Sequence, residues 1–214
     1  MFITFEGGEG SGKTTQINRL ASFLSENGQK VQTTREPGGT PEAEAIRDLI
    51  VQRDAGNWTP MAEVLLLNAA RTMHVEKIIK PALDDDKVVI SDRFADSTVA
   101  YQGYGHEMGL AEIHSIQQLV LGDLKPDITI ILDIDPVEGL KRSDRRLAGE
   151  KFVLDQQEDR YENMELAFHQ RLRDGFLEIA KREPDRCHVI DATQDIDRVS
   201  EQVKEIVKTK LKAA

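Results

Sequence analysis

The apolar run Phe2-Ile3-Thr4-Phe5 leads directly into Glu6-Gly7-Gly8-Glu9-Gly10-Ser11-Gly12-Lys13-Thr14-Thr15. Within it, Gly7 to Thr14 satisfies G-x-x-x-x-G-K-[ST], the phosphate-cradling P-loop pattern. Its context fits. A strand-like run precedes it, and after it Ile17, Leu20, Ala21 and Leu24 make an apolar stripe at helical spacing, closed by Gly28. Glycines at these positions let successive backbone N–H groups turn toward one anion, and the following helix adds its dipole. Gly7, Gly8, Glu9, Gly10, Ser11 and Gly12 therefore form the expected cradle. Lys13 bridges the outer phosphates of ATP, and the Thr14 hydroxyl is the expected Mg²⁺ ligand.

Working outward, short apolar runs alternate with stretches of helical period, the pattern of an α/β fold with a parallel sheet. Strands are predicted at Phe2–Phe5, Lys30–Thr33, Val88–Ser91, Ile128–Asp133 and His188–Ile190. Helical stripes are read at Ile46, Leu49 and Ile50, and in a long segment from Thr59-Pro60 toward Ile79. Two more follow, at Leu172, Phe176, Ile179 and Ala180, and from Ile196 through Val199, Val203, Ile206 and Val207. The predicted fold is a five-stranded parallel sheet flanked by helices, in the P-loop NTPase class. One domain over residues 1–214 carries a mobile lid at about 143–160. Ser143–Glu158 is polar and without apolar period, and reads as a flap rather than a packed element. Asp84-Asp85-Asp86 reads as a solvated turn, and Asp133 as a strand-end residue outside the site.

The 38 acidic against 28 basic side chains give a formal charge of -10. That speaks against a nucleic-acid or anionic-membrane surface, each of which needs a basic face. A phosphorylated small molecule needs no more than a local cluster of cations. The single cysteine, Cys187, leaves no internal disulfide and reads as a buried inert thiol. No window approaches the roughly 18 apolar residues of a membrane span, and the N-terminus has no signal-peptide pattern. A soluble cytoplasmic protein is expected. The histidines show no ligand spacing.

A cradle alone does not distinguish a switch from a kinase. GTPase switches carry N-K-x-D and D-x-x-G, and neither occurs in this sequence. A kinase needs a second anion site opposite the first, and three segments can supply it: Arg35-Glu36-Pro37-Gly38-Gly39-Thr40, Ala69-Ala70-Arg71, and Asp92-Arg93 through Gly103. Strand-to-helix loops gather at the carboxyl edge of a parallel sheet, so these segments can converge on the P-loop.

Taken together, Phe5-Glu6-Gly7…Lys13-Thr14-Thr15, Thr34-Arg35-Glu36-Pro37-Gly38-Gly39-Thr40 and Asp92-Arg93-Phe94…Ser97-Thr98…Tyr101-Gln102-Gly103 resemble the bacterial thymidylate kinases. Leu140-Lys141-Arg142, Asp159-Arg160-Tyr161-Glu162 and Ile190-Asp191-Ala192-Thr193 extend that resemblance over nearly the whole chain. It implies phosphorylation of dTMP to dTDP with ATP and Mg²⁺, in dTTP biosynthesis, by a homodimer. The alternative is another P-loop deoxynucleotide or deoxynucleoside kinase.

The resemblance also implies roles for individual residues. Arg71 and Arg93 hold the acceptor phosphate, and Glu9 accepts from the sugar 3′-hydroxyl. Thr98 and Gln102 read the pyrimidine edge, and Tyr101 excludes a 2′-hydroxyl. Arg35, Glu36, Pro37, Leu67 and Ser97 complete the acceptor site, and Asp92 joins Thr14 at the metal. Thr15, Arg142, Asp191, Ala192 and Thr193 lie on the ATP side. Leu67 stands where many relatives stack an aromatic ring on the base. The region Gly8-Glu9-Gly10-Ser11 has no arginine, so the flap must provide the catalytic cation. Arg146 is assigned that role among Arg142, Arg145, Arg146 and Arg160.

Overall fold

The computed structural model describes residues 1–52, 56–149 and 160–213, apart from the side chains of 144–149 and 213. Five strands form the sheet: β1 (Phe2–Glu6), β2 (Val31–Arg35), β3 (Val88–Asp92), β4 (Ile128–Asp133) and β5 (Cys187–Asp191). All pair in parallel in the order β2-β3-β1-β4-β5. Each predicted strand is present, within a residue or two at its ends. β1 and β3 are buried on both faces, which is why they read as unbroken apolar runs rather than alternating ones.

Helix α1 (Lys13–Glu26) follows the P-loop, and α2 (Pro41–Val51) and α3 (Pro60–His74) follow β2. Both of the latter begin on a Thr-Pro pair. Thr40 Oγ1 accepts from Ala43 N at 3.2 Å and Thr59 Oγ1 from Ala62 N at 3.3 Å, while the prolines sit where an N–H has no partner to lose. The long helix predicted toward Ile79 is α3 continued by a π-turn at Val75–Ile79 and by α4 (Lys80–Asp84). Beyond β3, α5 (Ala95–Thr98) passes into a second π-turn at Val99–Gly105, and α6 (Leu110–Leu121) leads to β4. The chain ends with α7 (Pro136–Gly149), α8 (Leu166–Arg182) and α9 (Ile196–Ala213).

One core layer lies between the sheet and α1 with α9, around Phe5, Leu20, Ile130 and Val203. The other lies beneath the second π-turn and α8, around Tyr101, Ile113, Phe168 and Phe176. Cys187 is buried there, and burial pushes its thiol up to about 12. The Asp84-Asp85-Asp86 run is a turn, with Asp86 left-handed at φ 54°.

Register fixes the site. Arg35 pairs with Asp92, and Asp92 with Phe5, so the ends of β2, β3 and β1 stand level. Arg93 N donates to Phe5 O and Glu36 N to Asp92 O, both at 2.9 Å. The acceptor segments that follow β2 and β3 therefore leave one edge of the sheet beside the P-loop, while Arg71 reaches the same place from within α3.

The stretch read as a flap from Ser143 begins differently. Ser143–Gly149 continues α7, and the Ser143 side chain is buried, donating to Glu162 Oε1 at 2.7 Å. Helix α7 is capped at its start, where Asp135 Oδ1 accepts from Val137 N at 3.0 Å and Pro136 takes the first helical position. The rest of the flap, residues 150–159, lies outside the described residues, as do the side chains of Arg145 and Arg146.

Candidate active site

The P-loop needs glycine where it turns. Gly7 has φ 137°, and a Cβ there would stand 2.5 Å from Leu132 O. Gly10, at φ 65°, presses its backbone against Gly139 in the first turn of α7. Lys13 is buried and donates to Gly7 O and Gly8 O, each at 3.2 Å, so its ammonium lies over the loop itself. Burial and Arg93 pull its pKa down, and Asp92, Glu9 and Glu6 oppose them. Thr14 and Thr15 are exposed at the mouth.

Thr14 Oγ1 lies 3.4 Å from Asp92 Oδ2. A hydroxyl and a carboxylate side by side suit a hard divalent cation that keeps water and phosphate oxygens as its other ligands. Among the described residues, no three His, Cys, Asp or Glu side chains gather into a cage made by protein alone. On the other flank of the P-loop, Arg142 Nη1 donates to Ala192 O at 2.9 Å. The adjoining loop is tied by Asp191 Oδ1, which accepts from Thr193 N at 2.8 Å. Arg142, Asp191, Ala192 and Thr193 thus meet beside Gly10.

Next to Lys13, Thr14 and Asp92 opens a cavity of about 410 Å³. Every residue assigned to the acceptor side lines it: Glu9, Arg35, Glu36, Pro37, Leu67, Arg71, Arg93, Ser97, Thr98, Tyr101 and Gln102. At the P-loop end, Glu9 Oε1 accepts from Arg93 Nη2 at 3.0 Å and from the Tyr101 hydroxyl at 2.6 Å. Burial pushes Glu9 up, but Arg93, Lys13 and that hydroxyl outweigh it and hold the carboxyl at about 2. Glu9 is therefore an acceptor-only anion at neutral pH. Arg93 also donates to Gly7 O at 3.2 Å and Ser97 Oγ at 3.3 Å.

At the far end, Arg71 is buried with every arm engaged. Nε donates to Glu36 Oε2 at 2.8 Å, Nη1 to Asn68 Oδ1 at 3.2 Å, and Nη2 to Thr98 Oγ1 at 3.0 Å. His74 lies behind Glu36, its Nδ1 2.9 Å from Oε1, and its Nε2 meets Thr34 Oγ1 at 2.6 Å. The two arginines assigned to one phosphate thus have different surroundings. Arg93 is bound to the P-loop, and Arg71 to Thr98.

Sequence reasoning missed several neighbours. Glu6 is fully buried beneath the site, bonded to Phe94 N at 2.8 Å and to the Ser97 hydroxyl. Burial, helped by Asp96, pushes it up to about 8, against the pull of Ser97, Arg93 and Phe94 N. Glu63, in the first turn of α3, is fully buried and accepts from Gln102, Arg160 and Tyr161. Arg160, counted among the flap cations, is committed here, with Nη1 on Ile50 O at 3.0 Å. Tyr161, Glu162, Arg47 and Val51 also line the cavity. A carboxylate in a strand's last position or in a helix's first turn carries no sequence mark of burial, because its partners lie far along the chain. Asp133, set aside as a strand-end residue, makes a bidentate pair with Arg173 at 2.7 and 2.9 Å.

A family model described as thymidylate kinase matches residues 5–203. The thymidylate kinase of Caulobacter vibrioides is 49% identical over 210 residues, covering 98% of this chain and 97% of that protein. The thymidylate kinase of Bacillus licheniformis is 43% identical over 212 residues, covering 99% and 97%. The crystal structure of thymidylate kinase from Ehrlichia chaffeensis superposes with a TM-score of 0.77 at 41% identity, covering 97% of this chain and 98% of that one. A phosphate cradle opening into an arginine-walled cavity, with matches of this length and identity, makes this chain a member of the thymidylate kinase family.

Proposed function

We propose that ATP occupies the P-loop and that dTMP fills the adjoining cavity, its phosphate toward Arg93 and its base toward Thr98 and Gln102. By family the chain is an ATP-dependent nucleoside monophosphate kinase that phosphorylates dTMP to dTDP, the precursor of dTTP. The observation that carries the site assignment is continuity. Lys13, Thr14 and Asp92 line the same cavity as Arg71 and Arg93, so donor and acceptor phosphates would meet without a wall between them.

The acceptor is a phosphate monoester whose second pKa near 6 leaves it mostly dianionic at pH 7. Its oxygen is already the nucleophile, and no general base is required. The barrier is repulsion between two polyanions and the charge spread over the transferring group, so catalysis is positioning plus fixed electrostatics. Lys13 and the P-loop amides cradle the donor phosphates. Arg93 orients the acceptor phosphate with a rigid fork. Glu9, held ionised, accepts the sugar 3′-hydroxyl. Tyr101 occupies the space a 2′-hydroxyl would need. Mg²⁺, bound by Thr14 with Asp92, would neutralise charge on the donor phosphates. Arg142 and the Asp191–Thr193 loop belong to the adenine side, and Arg146 is the assigned catalytic cation of a lid at about 143–160.

The same reading includes a homodimer in the cytoplasm. On α3, Val64 is fully buried while Met61 and Leu65 are 39% and 53% exposed, so apolar surface remains for a second copy to cover. Among the described residues no helix is long and apolar enough to cross a membrane. Light scattering at micromolar concentration tests the dimer, and a monomer mass would remove it.

The decisive assay offers dTMP, dUMP, dCMP and thymidine side by side and follows ADP release. dTMP should be preferred. Equal turnover of thymidine would mean that the cavity does not hold a phosphate, and would favour a nucleoside kinase.

A further inference from the structure

Behind the base end of the cavity a buried carboxylate decides which atom of an amide faces inward. Gln102 Nε2 donates to Glu63 Oε2 at 2.8 Å and to the Tyr161 hydroxyl at 3.2 Å. That hydroxyl donates onward to Glu63 Oε2 at 2.9 Å, and Arg160 holds the other carboxylate oxygen. Glu63 is itself outside the cavity lining and fully buried. Arg160 supplies its counter-charge in an ion pair with Oε1. A carboxylate so placed is acceptor-only. Turning the Gln102 amide over would set its oxygen against Glu63 Oε2, exchanging a charge-assisted hydrogen bond for repulsion between acceptors. The orientation therefore follows from the neighbours and does not depend on telling nitrogen from oxygen in the amide. As a result Gln102 Oε1 is buried with no partner among the described residues, in a side chain that lines the cavity. A buried acceptor of this kind requires a donor.

We propose that Glu63 is a specificity-setting positioning residue: by locking the Gln102 amide it makes the base end an acceptor surface that admits pyrimidines bearing N3–H and turns away cytosine. This rests on reading the cavity as the dTMP site with Gln102 at the base. Thymine and uracil offer N3–H to Gln102 Oε1. Cytosine offers a lone pair, which would leave two buried acceptors face to face. Mismatches of that type discriminate far better than a missing methyl group does.

The test measures kcat/KM for dTMP, dUMP and dCMP in four variants. In Glu63→Gln the neighbouring amide accommodates either orientation of Gln102, so the dTMP-to-dCMP ratio should fall at least about tenfold. The dTMP-to-dUMP ratio and the KM for ATP should stay within about twofold, since thymine and uracil share the same N3–H edge. An unchanged dTMP-to-dCMP ratio, or an equal fall for all three substrates, overturns the proposal. Arg160→Gln breaks the ion pair but leaves the carboxylate on the amide, and should keep the ratio. If it lost the ratio as fully as Glu63→Gln, the ion pair would be responsible and the proposal would fall. Should Glu63→Gln not fold, Tyr161→Phe decides: removing one of the two groups that hold the amide should lower the ratio about threefold, and no change overturns the proposal. Gln102→Ala separates the two levels. If it keeps the wild-type ratio, Gln102 does not read the base at all. If it loses the ratio while Glu63→Gln keeps it, the assignment of Glu63 alone fails.

Discussion

Arg93 and Tyr101 converge on one oxygen: the guanidinium lies 4.9 Å over the phenol ring while each side chain donates to Glu9 Oε1. The backbone of Arg93 is held at φ 68°, a left-handed conformation that costs a non-glycine residue on the order of 1–2 kcal/mol. Three restraints maintain it: its N–H on Phe5 O, the Ser91 hydroxyl on its carbonyl at 2.7 Å, and the side-chain contacts. A strained residue aimed into a cavity fits a binding role.

Arg93→Lys should therefore be far from conservative. Lysine keeps the charge but loses the planar fork and its seat on Tyr101. We expect kcat/KM for dTMP to fall about a hundredfold, a loss of roughly 3 kcal/mol, with the KM for ATP within about threefold. An equal rise in the ATP requirement would put Arg93 on the donor side.

Lys13→Ala removes the cation that rests on Gly7 O and Gly8 O. Turnover should drop at least about a hundredfold, because a point charge aimed at the transferring group is lost. The melting temperature should barely move, since the substitution removes a buried ammonium whose desolvation cost offsets its two hydrogen bonds. A variant retaining a tenth of normal turnover would sink the assignment.

Arg71 and Glu36 form an ion pair whose side chains are 2% and 4% exposed. Glu36→Gln preserves the shape but leaves a buried guanidinium without its counter-charge, which should cost about 3 kcal/mol in urea denaturation. The pair Lys77–Glu42, half-exposed on both sides, offers the contrast: Lys77→Gln should leave the midpoint where it is. Equal effects at the two sites would mean that burial does not set the strength of these pairs.

How much of this could be read from the chain alone depends on how local the signal was. The central strands β1, β3 and β4 were legible because they are buried on both faces and appear as short apolar runs, whereas the edge strands β2 and β5 are only partly buried and carry a weaker signal. The P-loop and the acceptor segments were legible because glycine spacing and Arg-Glu-Pro-Gly-Gly are contiguous. Three helical segments were missed: α5 with the π-turn after it, α6 and α7. In α6, Leu110 and Ile113 give a short apolar face, but Gln117 occupies its next buried turn. In α7, Lys141-Arg142-Ser143 interrupts any apolar stripe. The Glu63 cluster was invisible for another reason. Glu63 looks like an ordinary acid at a helix start until Tyr161, 98 residues later, is folded against it.

Glu9 makes the last prediction, in which stability and catalysis depend on pH in different ways. Its carboxyl is depressed from an ordinary value of 4.5 to about 2, because Arg93, Lys13 and Tyr101 outweigh the opposing effect of burial. A depressed acid stabilises the fold at every pH above its unfolded value, and that contribution drains away as pH falls from about 4.5 toward 2. Full linkage over that interval is on the order of 3 kcal/mol. In Glu9→Gln the stability gap to the wild type should thus stay constant from pH 7 to about 5 and narrow below 4.5. The rate should respond elsewhere. The acceptor phosphate gains a proton near pH 6, so kcat/KM for dTMP should fall on the acid side with a midpoint set by the substrate. Glu9→Gln should lower the plateau of that profile and leave its midpoint unmoved. A midpoint that shifts with the substitution would mean that Glu9 itself titrates in the working range, which is incompatible with the two donors fixed on its Oε1.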